Sequence, residues 1–250
     1  MAAIPKNRER SIGNTTDIVI RTYWRDFPWL ELCLRSIEKF ASGFRRIIVA
    51  VPQESAPYLA RYPAISSQAT IALTDNYSDD YLGQQVTKLH ADILTDADFI
   101  THVDSDVILT DALDVRSLFC AGRPIVVTRP FASADRHWPW GRPTSTFLGW
   151  AVSCDFMCRP PFTFPRWLYP HVRSFSRATH GVELADYVKR CPPRGFSEFN
   201  VLGALAFADF PGAFEWIEQD ADGRDPFCRW YWSWEGLDRQ TRSDIERSLA

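Results

Sequence analysis

From position 16 onward, short uninterrupted apolar runs alternate with stretches whose apolar residues recur every three or four positions. Ile18-Val19-Ile20, within 17–22, is of the first kind and predicts a strand buried on both faces. Asp26 and Pro28 then mark a helix start, as N-cap and early-turn proline. Leu30, Cys33, Ile37 and Phe40 follow at helical spacing, and Gly43 closes the segment. A second strand is expected over 46–51, stopped by Pro52, then a short helix near 54–60 and a weak strand over 70–73. A longer helix is predicted over 79–94, where Leu82, Val86, Leu89 and Ile93 succeed one another at steps of four, three and four. The run 98–103 reads as the next strand.

This β-α-β-α-β-α-β series predicts an α/β protein with a mainly parallel sheet, joined by right-handed crossovers and flanked by helices. Ligands of such sheets bind outside the carboxyl ends of the strands. The rule selects Arg21, Thr22, Tyr23 and Trp24 after the first strand and Asp75 and Asn76 after the third, as a wall for a base and ribose. Turn chemistry accounts equally well for Asp75-Asn76, and the edge of the core for Trp24. On the long helix Gln85 and Lys88 flank the apolar stripe, at the border of core and solvent. Lys88 there either reaches a phosphate or lays its stem along the surface.

The same rule falls hardest on Asp104-Ser105-Asp106. An apolar strand ends by delivering two carboxylates one residue apart. On extended backbone alternate side chains share a side, so Asp104 and Asp106 are expected to hold one divalent cation. Mg2+ or Mn2+ takes oxygen ligands and completes its shell with water and substrate phosphates. His102, just before the pair, reads as a core histidine.

Composition narrows the field without choosing within it. The chain has 250 residues, 46% hydrophobic and 24% charged, with a formal charge of −3. That length suits one α/β domain, with residues 1–15 as a flexible arm, 16–110 as a nucleotide-binding half and 111–250 as the remainder. The charge offers no general attraction to nucleic acid or an anionic membrane. The N-terminus lacks the apolar core of a signal peptide, and no uncharged apolar run approaches the roughly 18 residues that span a bilayer, so a cytoplasmic protein is expected. Six scattered cysteines (Cys33, Cys120, Cys154, Cys158, Cys191, Cys228) make no zinc-like pairs and read as reduced, mostly buried thiols. No Gly-x-Gly-x-x-Gly, phosphate-binding loop, Gly-x-Ser-x-Gly elbow or His-Glu-x-x-His helix is present. Without a glycine cradle, a diphosphate needs a cation, which makes the acidic pair more necessary.

The hydrophobic-strand-Asp-x-Asp ending of this first half resembles the nucleotide-sugar-binding half of GT-A glycosyltransferases. The segment Tyr81-Leu82-Gly83-Gln84-Gln85-Val86-Thr87-Lys88-Leu89, followed by His102-Val103-Asp104-Ser105-Asp106, is similar to a bacterial and phage group in that superfamily whose acceptors are poorly defined. The likeness spans roughly residues 16–220. It implies a GT-A-like fold, transfer of a sugar from a nucleotide-diphosphate donor (a UDP-sugar foremost) to a hydroxyl acceptor, and Mn2+ or Mg2+ as cofactor. It also implies that Asp106 ligates the metal and that Asp104 contacts ribose or metal.

The second half is then expected to supply acceptor and catalysis. Asp111 reads as the cap of a short helix over 113–119, and 124–128 as a strand. Residues 130–150, with Trp138, Trp140 and Trp150, look irregular, and 151–158 looks like a strand carrying Asp155. Ser197 is the expected N-cap of a helix with Phe199, Leu202 and Leu205 on one face. Glu198 sits in the first turn, where the helix dipole favours an acid. Ser-Glu-Phe-Asn resembles the acceptor-side acidic motif of several GT-A families, which implies Glu198 as general base, with Asp155 second. Residues 159–194 carry seven Lys/Arg against Glu183 and Asp186. They read either as a solvated helical pair or as a site for an anionic acceptor, a lipid phosphate or nucleic acid. Trp230-Tyr231-Trp232-Ser233-Trp234 is expected to fold back over the core, before a terminal helix over 235–249. Two alternatives stay open: a nucleotidyltransferase, against which the missing glycine-rich loop counts, and a non-catalytic nucleotide-sugar binding protein.

Overall fold

The computed structural model describes residues 15–131, 139–219 and 227–250. In chain order, β1 (Thr16–Arg21) leads into α1 (Phe27–Phe40), the short β2 (Ala41–Ser42) and β3 (Ile47–Pro52). After a 3-10 run over Gln53–Arg61 come α2 (Pro63–Gln68), β4 (Thr70–Thr74), α3 (Asp80–Lys88) and β5 (Phe99–His102). β6 (Val107–Leu109), β7 (Leu113–Asp114), β8 (Phe119–Cys120) and β9 (Arg123–Pro130) follow. The remainder holds α4 (Gly141–Leu148), β10 (Cys154–Asp155), β11 (Phe162–Pro165), α5 (Leu168–His180), α6 (Leu184–Lys189) and α7 (Glu198–Asp209), then β12 (Glu215–Glu218), β13 (Cys228–Trp230) and α8 (Arg239–Leu249).

The main sheet has the order β11-β5-β1-β3-β4. Its inner pairings β5-β1, β1-β3 and β3-β4 are parallel, as the alternation of runs predicts, and β11 closes one edge antiparallel. Along β1 the pleat sends Ile18 and Ile20 into one core and Val19 into the other. The first core is filled by α1 (Phe27, Leu30, Cys33, Leu34, Ile37) and by Ile245 and Leu249 of α8. The second is filled by Leu82 and Val86 of α3 and the buried faces of α5, α6 and α7. Burial on both faces explains why the central strands are apolar without alternation. β9 belongs to a second sheet, ordered β10-β9-β12.

Several expected elements change shape. The helix predicted over 79–94 ends at Lys88, because the His90 N–H bonds Thr87 O and its Nδ1 lies 2.8 Å from Val86 O, which tightens the chain into a 3-10 turn over Ala91–Ile93. Ile93 is thereby thrown out, 71% exposed. Asp26 occupies the N-cap position of α1 but makes no side-chain capping bond. The helix expected over 113–119 is a 3-10 turn, Val115–Leu118, capped by Asp114 through Arg116 N–H, while the Asp111 carboxylate accepts from Ala112 N–H and does not cap it. The strand expected over 151–158 shrinks to Cys154–Asp155, since Asp155 Oδ1 accepts from Met157 N–H and bends the chain. Within the supposedly irregular 130–150 lies α4, with Thr144, Phe147 and Leu148 buried at helical spacing and Gly149 ending it at φ +79°. The terminal helix starts at Arg239, capped by Asp238. The arm over 1–14 and Trp138 lie outside the described residues.

Of the thiols, Cys33 and Cys228 are buried, Cys120 is exposed and three are half-buried; none is in a disulfide. No helix among the described residues is long and apolar enough to cross a membrane.

Candidate functional site

The carboxyl ends of β1 and β5, one side of α3, the start of α7 and the segment 230–234 enclose a cleft of about 640 Å³. α3 supplies one wall. Asp79 caps the helix through Leu82 N–H, and Asp80 is bound bidentately by Arg21, with Nη1 to Oδ2 at 2.7 Å. So tethered, the helix turns Leu82 and Val86 to the core and Tyr81, Gln84, Gln85 and Lys88 to the cleft, at offsets of zero, three, four and seven.

Lys88 is 3% exposed. Its Nζ lies 2.6 Å from Asp104 Oδ1 and 2.8 Å from Glu198 Oε1, and 4.8 Å from the Phe199 ring centroid. Burial disfavours its charge, but the two carboxylates outweigh that and hold its pKa above the ordinary lysine value. It is therefore no surface lysine.

Asp104 and Asp106 do not alternate along extended backbone, as expected from the strand run. The strand ends at His102, and Val107 N–H closes onto Asp104 O in a tight turn. Both carboxylates still line the cleft. Asp106 is nearly buried: Oδ1 accepts from Trp230 Nε1 at 3.1 Å and Oδ2 from Ser233 N at 2.9 Å. Burial, and then the charge of Asp104, push its pKa up to about 7. Asp26 lines the same cleft, with Ser233 Oγ 3.4 Å from its Oδ2, and burial raises it to about 6, with Asp80 and Asp104 adding repulsion. His102 is a core residue: Nε2 pairs with Tyr169 OH at 2.7 Å, and burial with the Lys88 charge lowers its pKa to about 3, so it stays neutral.

Among the predicted site residues, the structure brings Arg21, Thr22, Gln85, Lys88, Asp104, Asp106 and Glu198 to one cleft. It leaves out three. Asp75 and Asn76 are exposed beyond its lining, and Asn76 Oδ1 accepts from Glu54 N–H, the turn chemistry its residue type suggests. Asp155 is fully buried outside the lining, paired with Arg129 at 3.0 Å. Trp24 is half out in solvent, stacked on Tyr58 at 4.9 Å.

Other members carry no signal in the linear order. Asp26 reads as a helix cap. Trp140 reads as loop, yet it stacks on Tyr81 with ring centroids 6.2 Å apart. Trp230 packs against both cores and Tyr231 against one, as expected of this segment, while Trp230, Trp232 and Trp234 also stack in a ladder at 4.9 Å spacing along the cleft, with Trp234 65% exposed and Arg194 over it at 5.4 Å. Their i, i+2 spacing is the only sequence trace of that ladder. The basic stretch 159–194 is partly paired within the chain, at the surface as well as inside it. Arg173 binds Asp92, Arg177 binds Glu183, Lys189 binds Asp186, and Arg166 donates to Ala97 O.

Among the described residues no group of three His, Cys, Asp or Glu side chains stands ready to hold a metal ion. Asp104 and Asp106 remain a two-carboxylate site, each already engaged by a protein donor. Fold and cleft define a Rossmann-like α/β protein, with a mostly parallel five-stranded sheet and a cleft at its strand ends. Beyond that class, no family matches the sequence and no curated protein is similar to it.

Proposed function

We propose that this protein is a GT-A-like glycosyltransferase that moves a sugar from a nucleotide-diphosphate donor, a UDP-sugar foremost, to a hydroxyl acceptor. The observation that carries the reading is the Asp104–Lys88–Glu198 chain of contacts, which sets the donor-side carboxylate of the resemblance and its acceptor-side acid on one ammonium. Glu198 is the candidate general base: its carboxylate lines the cleft and would take the proton of an acceptor hydroxyl as that oxygen attacks the sugar. Lys88 fixes Oε1 of Glu198 and so orients the group. Arg21, through Asp80, and the Asp79 cap hold α3 in place against the cleft.

A divalent cation fits this chemistry in charge. Asp26, Asp104 and Asp106 raise one another's energy when ionised, and a hard cation relieves that repulsion with two protein carboxylates, water and phosphate oxygens. Asp104 and Asp106 are the residues that would hold it, and when bound it would neutralise the leaving diphosphate.

Thermal-shift and turnover assays with UDP-, GDP- and dTDP-sugars, with Mn2+ or with EDTA, test the reading. It expects stabilisation by a nucleotide sugar and turnover lost in Glu198→Gln while donor binding persists. Binding without turnover in the presence of any hydroxyl acceptor tried would favour the non-catalytic binding protein. No stabilisation by any nucleotide sugar would overturn both.

A further inference from the structure

Four buried polar atoms on residues that line the cleft have no hydrogen-bond partner among the described residues: Arg21 Nε, Asp104 Oδ1, Gln85 Oε1 and Trp140 Nε1. The first two belong to groups already held in ion pairs with Asp80 and Lys88, which leaves the acceptor Gln85 Oε1 and the donor Trp140 Nε1 as the neutral pair. Gln85 is 1% and Trp140 8% exposed, and both residues line the cleft. Buried polar atoms in folded proteins are overwhelmingly paired, so two orphans in one ligand-sized cleft call for a partner that the chain does not supply. They belong to one locality. Tyr81 stacks on Trp140 at 6.2 Å and an interplanar angle of 16°, and Tyr81 and Gln85 are i, i+4 neighbours on α3. One further turn along that helix stands Lys88, which holds Asp104 and Glu198. Gln85 thus lies on the helix face that reaches the chemistry of the proposed site, and Trp140, at the start of α4, packs on the same face through Tyr81.

We infer that Gln85 and Trp140 form a selectivity pair for a hydroxylated ring, the sugar of the donor, and read one of its hydroxyls. The assignment rests on the glycosyltransferase reading above. It follows from what each chemical group would do. A phosphate or carboxylate satisfies Trp140 but sets its charge against the Gln85 carbonyl, and an ammonium satisfies Gln85 but meets a donor in Trp140. With Oε1 as the buried orphan, a hydroxyl donates to Gln85 and accepts from Trp140 at a single atom. The indole of Trp140 and the phenol of Tyr81 add an apolar wall of the kind that packs against the C–H face of a sugar.

The test is titration calorimetry of UDP, UDP-glucose and UDP-galactose, with Mn2+ present, on the wild type, Gln85→Met and Trp140→Phe. Both substitutions remove the polar atom and keep most of the shape. Expected is a loss of about tenfold in affinity for a UDP-hexose in each variant, the size of one hydrogen bond, with UDP itself unchanged within about twofold. A donor lacking the hydroxyl that is read should bind the wild type about as weakly and lose nothing further in Gln85→Met. Equal losses for UDP and UDP-hexose, or none for either, would overturn the pair while leaving nucleotide binding intact. A wild type that binds neither UDP nor a UDP-hexose would overturn the parent reading and this one together. Should Gln85→Met fail to give a cooperative melt, Trp140→Phe decides alone, since it keeps the aromatic stack.

Discussion

Lys88 Nζ stands 2.6 Å from Asp104 Oδ1, so the ammonium of α3 sits on the first carboxylate of the acidic pair, in surroundings where Lys88 is almost wholly shielded from water. With Glu198 on its other side, the ammonium joins the turn after β5 to the start of α7.

Lys88→Met should therefore be costly. It leaves two carboxylates facing each other in a poorly hydrated site, and breaking buried pairs of this kind costs about 3–5 kcal/mol. Urea denaturation is expected to show that loss, and the double variant Lys88→Met/Glu198→Gln to regain part of it. A single variant as stable as the wild type would mean that water or a counter-ion replaces the ammonium freely.

Asp26 supplies a pH signature. Burial raises its folded-state pKa to about 6, above the ordinary carboxyl value of 3.8. The folded protein then keeps a proton that the unfolded chain has lost. Its contribution to stability is complete below about pH 4 and is lost as pH rises through about 6. Relative to the wild type, Asp26→Asn should flatten the fall in unfolding free energy between pH 4 and 7. Parallel stability curves for the two proteins would contradict this.

Gly83 lets α3 approach the loop before it. A Cβ at that position would stand 2.5 Å from the Tyr77 ring and Cβ, closer than side chains pack. Gly83→Ala should lose about 1–3 kcal/mol despite the better helix propensity of alanine. Because α3 carries Gln85 and Lys88, the proposed function expects the same variant to weaken nucleotide-sugar binding as well. Unchanged stability would show that Tyr77 moves aside easily.

Asn200 locks the entrance to α7. Its Oδ1 accepts from Phe156 N–H at 2.8 Å and its Nδ2 donates to Ser197 Oγ at 3.0 Å, all within the core. Asn200→Ala leaves the Phe156 N–H buried without its acceptor, a cost of about 1–3 kcal/mol. Thermal melting would read it, and Asn200→Asp should recover the acceptor function in part. Ser197 occupies the N-cap position of α7 as expected, but its hydroxyl accepts from Asn200 and makes no capping bond.

The pattern of residues by itself determined the strand and helix alternation of the first half, the parallel sheet, and the delivery of Asp104 and Asp106 to its carboxyl end. Those features are local: apolar runs must be buried on both faces, helical stripes must pack on them, and crossover connections then leave the strand ends free for a site. The sequence also singled out Gln85 and Lys88, because polar residues at the border of an apolar stripe stand out against their helix, and Glu198, through the motif that Ser-Glu-Phe-Asn resembles. Only the tertiary structure decided the partners. Lys88 and Glu198 are 110 residues apart, and Trp230 and Asp106 are 124 apart, and such contacts depend on how helices and strands pack rather than on any local rhythm. For the same reason Asp26 and Trp140 passed as a cap and a loop residue until the cleft was closed around them, and Asp155, the expected runner-up base, was drawn into the core by Arg129.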